Sequence, residues 1–185
     1  MTPAEEGFGA GRQIAAAGTV LVAVEAILAW RMSPTAVLPA FAYLGIAGTV
    51  VSLIDLRTRR LPNRVLLPSY PITFALLAVA SRVEQEWWPL GRAIIAMAMM
   101  AGFYLGLGLA FPHGFGLGDV KLGGLLALGL GWLGWPVLIT GVLAGWCLAA
   151  LVLLARYATR PARRGQPVAL GPLLCLGALV AIGLR

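Results

Sequence analysis

The sequence predicts an all-α fold: a bundle of about six to seven helices that crosses a membrane several times. Three observations lead to this prediction. Of the 185 residues, 60% are hydrophobic and only 11% are charged, and the mean hydropathy is +0.90. A soluble domain carries about 25% charged residues. A lipid bilayer is therefore the expected surrounding of the chain, and its stretches without charge are the candidate spanning helices.

Six charge-poor stretches define these spans, because a helix needs roughly 20 apolar residues to cross about 30 Å of hydrocarbon. The fifth stretch is too long for one crossing, and Gly131, Gly134 and Pro136 offer a place to turn, so it predicts two helices. The third is the weakest, because it is short and contains Pro68 and Pro71. In chain order the stretches are 13–30, interrupted only by Glu25, then 32–54, 65–81, 93–118, 122–155 and 165–184.

We expect one transmembrane domain over residues 12–185, preceded by a flexible N-terminus of residues 1–11. The first residues carry Glu5 and Glu6 and only Arg12, whereas a cleavable signal peptide begins with a basic region. The first helix is therefore expected to be retained.

Basic residues collect in two loops, and short cytoplasmic loops carry the excess of Lys and Arg. With seven helices, ten basic residues fall on the side of these loops and four on the other. This predicts a multi-pass protein of the inner (plasma) membrane with a cytoplasmic N-terminus. The net charge of +7 is then explained by a surface that faces anionic lipid, and no nucleic acid is expected as a partner. The ten are Arg12, Arg57, Arg59, Arg60, Arg64, Lys121, Arg156, Arg160, Arg163 and Arg164, and the four are Arg31, Arg82, Arg92 and Arg185.

The first acidic residue of interest, Asp55, closes the second predicted span beside a run of arginines. Taken alone, it is most simply an interfacial aspartate that these arginines neutralise. Pro62 should stop any helix there, because the residue before a proline avoids the helical region. The third helix is expected to begin near Asn63, a residue suited to capping.

The second, Asp119, follows three glycines at alternating positions, Gly114, Gly116 and Gly118. Glycines in this pattern let backbone and neighbouring helices approach closely. Asp119 is then expected to open the next helix, where the positive end of the helix dipole and free N–H groups favour a carboxylate. A simpler alternative is an N-cap followed by an ion pair with Lys121.

In the predicted topology both aspartates lie at the cytoplasmic ends of their helices, so they can meet. Acids in so apolar a chain are costly and usually functional. Two carboxylates a few ångströms apart share a proton, and their pKa values separate. Such a pair can activate a water for attack on a peptide carbonyl without a metal or cofactor. Asp55 and Asp119 are therefore the candidate catalytic residues of an intramembrane aspartyl peptidase, with no metal site. The two cysteines, Cys147 and Cys175, are expected to be packing residues.

These residues resemble the motifs of the type IV prepilin peptidases, the leader peptidases of the GxGD class of membrane aspartyl proteases. Asp55 followed by Pro62 and Asn63 is similar to their first motif, and the run 116–122, GLGDVKL, is similar to their second, GxGDxKL. Leu130-Gly131-Trp132 and Gly171-Pro172-Leu173-Leu174 add to the resemblance, which covers the chain from about residue 40 onward. The supporting motif residues are Gly116, Gly118, Lys121, Pro62 and Asn63.

The resemblance implies an aspartic-type endopeptidase that removes the short basic leader from prepilin or pseudopilin precursors at the cytoplasmic membrane face. It also implies a pilus or secretion assembly machinery as a possible partner. Larger members carry a cytoplasmic N-terminal region with cysteine pairs and also methylate the new N-terminus. This sequence lacks the CxxC pairs and a segment long enough for that region, so we expect a short form without N-methyltransferase activity.

Two other functions stay open. A membrane transporter would place acids deep in the bilayer and contain an internal repeat, whereas only Glu25 is deep and no repeat is visible. We interpret Glu25 as a hydrogen-bonding group on a helix interface. A non-catalytic assembly protein of the same fold could retain both aspartates. His113 is interpreted as an interfacial residue, and Lys121 either tunes Asp119 or extends towards lipid head groups.

Overall fold

The structure, a computed structural model, describes residues 3–32, 35–111, 116–159 and 169–185, with side chains from residue 17 onward. Over these ranges the chain forms seven helices and no strand, so the predicted all-α membrane bundle is confirmed. Four helices, α2, α3, α4 and α6, are long and apolar enough to cross a membrane, as in a multi-pass membrane protein. The helices are α1 Pro3–Met32, α2 Leu38–Thr58, α3 Asn63–Glu84, α4 Trp88–Ala110, α5 Leu117–Leu133, α6 Trp135–Thr159 and α7 Gly171–Leu184.

The turn predicted within the fifth apolar stretch is confirmed. Helix α5 ends at Leu133 and α6 begins at Trp135, with Gly134 between them. Gly134 has a φ of +137°, a backbone conformation that side chains with a β-carbon rarely adopt. One residue is therefore enough to reverse the chain.

The third span, predicted to be the weakest, is a continuous helix that contains both Pro68 and Pro71. Prolines are tolerated in membrane helices when neighbouring groups compensate for the lost backbone hydrogen bonds. Ser69 lies between the two prolines, and its hydroxyl adds a bond within this turn by donating to the carbonyl of Val65 at 2.7 Å. The helix has 22 residues, and its mean hydropathy of 1.4 is the lowest of the four candidate spans, in agreement with the prediction that it is the weakest.

Other boundaries differ from the sequence prediction at the ends of the spans. Helix α4 ends at Ala110 rather than at 118. Helix α7 begins at Gly171, and its 14 residues extend about 21 Å at 1.5 Å per residue, less than a full crossing. Helix α1 begins at Pro3, inside the predicted flexible N-terminus. The division into residues 1–11 and 12–185 stays a prediction, and Gly114 and His113 lie outside the described residues.

Glycines bring helices α6 and α7 into close contact. A β-carbon on Gly177 would lie 2.6 Å from the carbonyl oxygen of Gly141 and from Cα of Gly145, so the two backbones touch. Small residues at helix interfaces allow such close packing in membranes, where lipid is as apolar as the side chains. Cys147 is exposed and Cys175 is partly buried, and both are free thiols.

Two arginines bind the last carbonyls of neighbouring helices at one end of the bundle. Arg31, in the last turn of α1, donates to the carbonyls of Ile182 and Gly183 in α7. Arg92, in the first turns of α4, donates to two carbonyls at the end of α5. Cations are favourable at helix C-termini, where the carbonyls lack partners within the helix. These contacts fix the end of the bundle opposite to the two aspartates.

Candidate active site

Asp55 lies in the last turn of α2. Arg59 ends this helix with a φ of 51°, and the Arg59 N–H donates to the backbone carbonyl of Asp55 at 2.8 Å. The Asp55 side chain turns inward and is only 5% exposed. Its Oδ2 accepts a hydrogen bond from the backbone N–H of Gly171 at 3.0 Å. Gly171 is the first residue of α7, so the carboxylate occupies a helix N-terminus, where free N–H groups and the dipole favour negative charge.

Gly171 is the residue at this site to which sequence reasoning gave no role. A β-carbon on it would lie 2.9 Å from Oδ2 of Asp55 and 3.3 Å from Cδ2 of Leu61, so only glycine allows this approach. The available signal was the Gly171-Pro172 pair, because proline is common in the first turn of a helix. That pair predicts where α7 starts, but it does not predict which side chain its first N–H binds.

Asp119 is the third residue of α5, not its N-cap. The N-cap is Gly116, whose carbonyl accepts from the Asp119 N–H at 3.0 Å while the Gly116 N–H donates to Asp119 Oδ2 at 3.1 Å. The bond from the Gly116 N–H to the Asp119 carboxylate is one of the two bonds of a capping box, the one in which an acidic side chain at the third helical position accepts from the N-cap backbone. The Asp119 side chain is half-buried. The expectation that Asp119 opens α5 is confirmed, because it lies in the first turn, whereas the alternative in which Asp119 is itself the N-cap is not observed.

Lys121 and Asn63 have partners different from those that the sequence suggested. Lys121 Nζ donates to Oδ1 of Asn63 at 2.8 Å, and no ion pair with Asp119 is formed among the described residues. Asn63 does not cap α3, because Pro62 holds the N-cap position without a side-chain bond and Asn63 is the first helical residue. The pair thus joins the first turn of α3 to the first turn of α5.

Leu61 separates the elements that carry the two aspartates. A β-carbon on Gly118 would lie 2.7 Å from Cβ of Leu61, and the same leucine packs against Gly171. The close approach predicted for the glycine run is thus observed at Gly118. Asp119 directly follows Gly118 and Asp55 binds the N–H of Gly171, so the structure brings both aspartates to the same end of the bundle, on either side of Leu61. Asp55 lies at the N-terminus of α7, and Asp119 lies in the first turn of α5.

Two further polar side chains lie on the helices around the aspartates. Tyr104 of α4 is buried in the core, where its ring covers Gly123 of α5 and its hydroxyl accepts from Trp146 Nε1 at 3.3 Å. Cys175, one turn into α7, donates to the carbonyl of Gly48 in α2 at 3.7 Å. Among the described residues, no three His, Cys, Asp or Glu side chains group closely enough to hold a metal ion.

An apolar cavity of about 320 Å³ lies next to Asp55. Its walls come from α1, α2, α5 and α7, and they include Ser52 and Leu56 on either side of Asp55 along α2, and Pro172 beside Gly171. Glu25 of α1 lies near this wall: its Oε1 is buried against Gly45 and has no hydrogen-bond partner among the described residues. The hydrogen bond expected for Glu25 is therefore not observed.

The model of the type IV leader peptidase family matches residues 42–154, a range that includes both Asp55 and Asp119. The prepilin leader peptidase/N-methyltransferase of Stutzerimonas stutzeri is 26% identical over 134 residues, which are 71% of this chain and 45% of that protein. The chain thus spans less than half the length of this curated relative. No solved structure matches.

Proposed function

Because this chain belongs to the type IV leader peptidase family, we propose that it is an intramembrane aspartic endopeptidase that removes basic leaders from prepilin-like precursors. The observation that carries the proposal is that Leu61 lies against both Gly118, which precedes Asp119, and Gly171, whose N–H binds Asp55, so that both acids lie at one end of the bundle. Acids that meet inside so apolar a protein are costly, and chemistry is their usual role. The name of the relative from Stutzerimonas stutzeri supports the same class of substrate.

In the proposed reaction, the pair of aspartates shares one proton and binds one water. Asp55 and Asp119 are each held through Oδ2 by a backbone N–H, that of Gly171 and that of Gly116. This leaves the other oxygen of each carboxylate for the water and the substrate. The ionised aspartate takes a proton from the water while the water oxygen attacks the peptide carbonyl carbon. The protonated aspartate then gives its proton to the leaving nitrogen as the C–N bond breaks, which restores one shared proton.

We place this site at the cytoplasmic face of the inner membrane. Four arginines, Arg57, Arg59, Arg60 and Arg64, flank the turn between α2 and α3 and are exposed at the end of the bundle that holds the aspartates. Cytoplasmic loops carry such an excess of basic residues, and anionic lipid head groups attract them. Cleavage would then occur at the boundary between lipid and cytoplasm.

The apolar cavity is a suitable binding place for the hydrophobic segment of the substrate, which follows the cleaved bond. Its residues Ser52 and Leu56 flank Asp55, so a segment lying in the cavity would lead directly to the aspartates. The walls are almost entirely apolar, as a segment that enters from the bilayer requires. The hydrophobic helix of a prepilin has this chemistry, whereas its basic leader would lie on the side of the aqueous loops.

The test is to incubate the purified protein in lipid vesicles with prepilin and pseudopilin precursors, and to identify the products by mass spectrometry. We expect a single cut between the basic leader and the hydrophobic segment, and the product mass also reports whether a methyl group is added. Asp55→Asn or Asp119→Asn should abolish this cut while leaving thermal unfolding unchanged. Equal cleavage by either variant would refute the catalytic assignment. Absence of cleavage by the wild type on all precursors would favour the non-catalytic assembly role.

A further inference from the structure

The hydroxyl group of Tyr70 reaches into the backbone of α5. Tyr70 is in α3, and its Oη donates to the carbonyl oxygen of Lys121 at 2.5 Å. In an α-helix the carbonyl of residue 121 accepts from the N–H of residue 125, four positions further on. The tyrosine hydroxyl is therefore a second donor to a carbonyl oxygen that belongs to the hydrogen-bond ladder of α5, a contact known to alter local helix geometry.

The sequence of α5 makes room for this contact. A β-carbon on Gly124 would lie 2.6 Å from Tyr70 Oη, so the hydroxyl reaches the backbone only because residue 124 has no side chain. On a neighbouring position, Gly123 is covered by the ring of Tyr104 from α4. Two tyrosines from two different helices thus pack against consecutive glycines, just after the turn that carries Asp119.

A second bond from α3 acts on the same residue of α5. Lys121 Nζ donates to Asn63 at the start of α3, while the Lys121 carbonyl accepts from Tyr70 two turns further along α3. Asp119 is two residues before Lys121, and its carboxylate is bound only within α5, by Gly116, among the hydrogen bonds of the described residues. The position of Asp119 relative to α2 and Asp55 therefore depends on what holds the α5 backbone, and α3 provides two such bonds.

We propose that Tyr70 is a positioning residue that fixes the first turns of α5, and with them the Asp119 carboxylate, in the register that faces Asp55. Tyr70 touches neither aspartate, so it acts through the α5 backbone. The proposal rests on the proposed peptidase function for its catalytic consequence, but its mechanical part concerns α5 alone. Displacement of a reacting group by about 1 Å can cost about a hundredfold in rate.

The test compares Tyr70→Phe with Tyr43→Phe. Tyr43 of α2 is a matched control, because its hydroxyl also bonds to α3, at Ser69 with a distance of 3.1 Å, and makes no hydrogen bond to α5 among the described residues. Loss of one hydrogen bond that orients the site should lower kcat by about tenfold in Tyr70→Phe, with KM and the unfolding temperature unchanged. Hydrogen exchange should become faster at the amides of the first turns of α5 only, because the Lys121 carbonyl loses its second donor. Tyr43→Phe should change neither kcat nor exchange in α5.

A second variant changes the same contact on the α5 side. Gly124→Ala keeps the tyrosine but forces its hydroxyl away, so it should reproduce the loss of kcat and the faster exchange. Unchanged exchange in α5 for either variant would overturn the positioning role, as would faster exchange with normal kcat. A fall in kcat that Tyr43→Phe matches would also overturn it. If the wild type cleaves no precursor, the peptidase proposal fails separately, and hydrogen exchange alone decides whether Tyr70 holds α5.

Discussion

Replacement of Gly118 by alanine tests the contact between the start of α5 and Leu61 in the turn that follows α2. In the structure, the added methyl group would lie 2.7 Å from Cβ, 2.9 Å from Cδ1 and 3.2 Å from Cγ of Leu61. Optimal separations between carbon atoms are about 3.5–4.0 Å, so the overlap is about 1 Å. Leu61 cannot move freely, because its Cδ2 packs against Gly171 on the other side. The start of α5 must therefore move away from the turn that follows α2.

The expected magnitude follows from this displacement. Overpacking of this kind costs about 1–3 kcal/mol of stability, partly offset by about 1 kcal/mol that alanine gains over glycine inside a helix. The net loss of stability should thus be small, about 1 kcal/mol. Asp119 follows Gly118 directly, and a shift of about 1 Å at a reacting group lowers the rate by about a hundredfold. Catalysis should suffer far more than folding.

The assay is cleavage of a precursor in lipid, measured beside thermal unfolding of the same preparations. Gly116→Ala is the matched control, because a β-carbon there meets nothing closer than Asp119 Oδ2 at 3.6 Å and φ is −89°. It should keep nearly full activity. Adding Leu61→Ala to Gly118→Ala removes the clash and should restore part of the lost rate. Equal rates for the two glycine variants, or no recovery with Leu61→Ala, would refute the steric reasoning.

Three further predictions concern other contacts of the site and the bundle. Asn63→Asp should retain activity, because a carboxylate also accepts from Lys121, whereas Asn63→Leu should lower kcat by about tenfold; equal rates would show that the bond has no effect. Gly48→Leu should fill the cavity beside Asp55 and raise KM by about tenfold with little change in kcat, whereas the control Gly102→Leu faces open space and should change neither. Arg92→Met removes the charged donor at the end of α5 and should cost about 2 kcal/mol in thermal unfolding while leaving KM unchanged; an unaltered melting temperature would contradict the capping role.

The sequence predicted the helical bundle and the two aspartates because charge is scarce in this chain. Each long stretch without charge corresponds to at least one helix, and an acid such as Asp55 stands out against so apolar a background. Glycine chemistry also located the turn at Gly134 and the close approach at Gly118. Family resemblance then indicated which two acids belong together, and the structure brings these two to one end of the bundle.

The remaining contacts could not be predicted, because they join helices that are distant in sequence. Gly171 binds Asp55 across 116 residues, and Tyr70 binds Lys121 across 51. These helices are apolar on all sides, so their hydrophobic pattern does not show which face meets which neighbour. The same limitation explains Asn63, which was expected to cap a helix and instead binds a lysine of another. Helix ends such as Ala110 were missed because apolar residues continue beyond them.

The most direct test of the central claim is the cleavage rate of the double variant Asp55→Asn/Asp119→Asn beside the two single variants. Groups that act as one unit show losses that do not add, so each single variant should lose at least about a thousandfold and the double variant should be no worse than either. The unfolding temperatures of all three should match that of the wild type. Losses that multiply in the double variant, or a single variant that still cleaves at the wild-type rate, would contradict a shared catalytic pair.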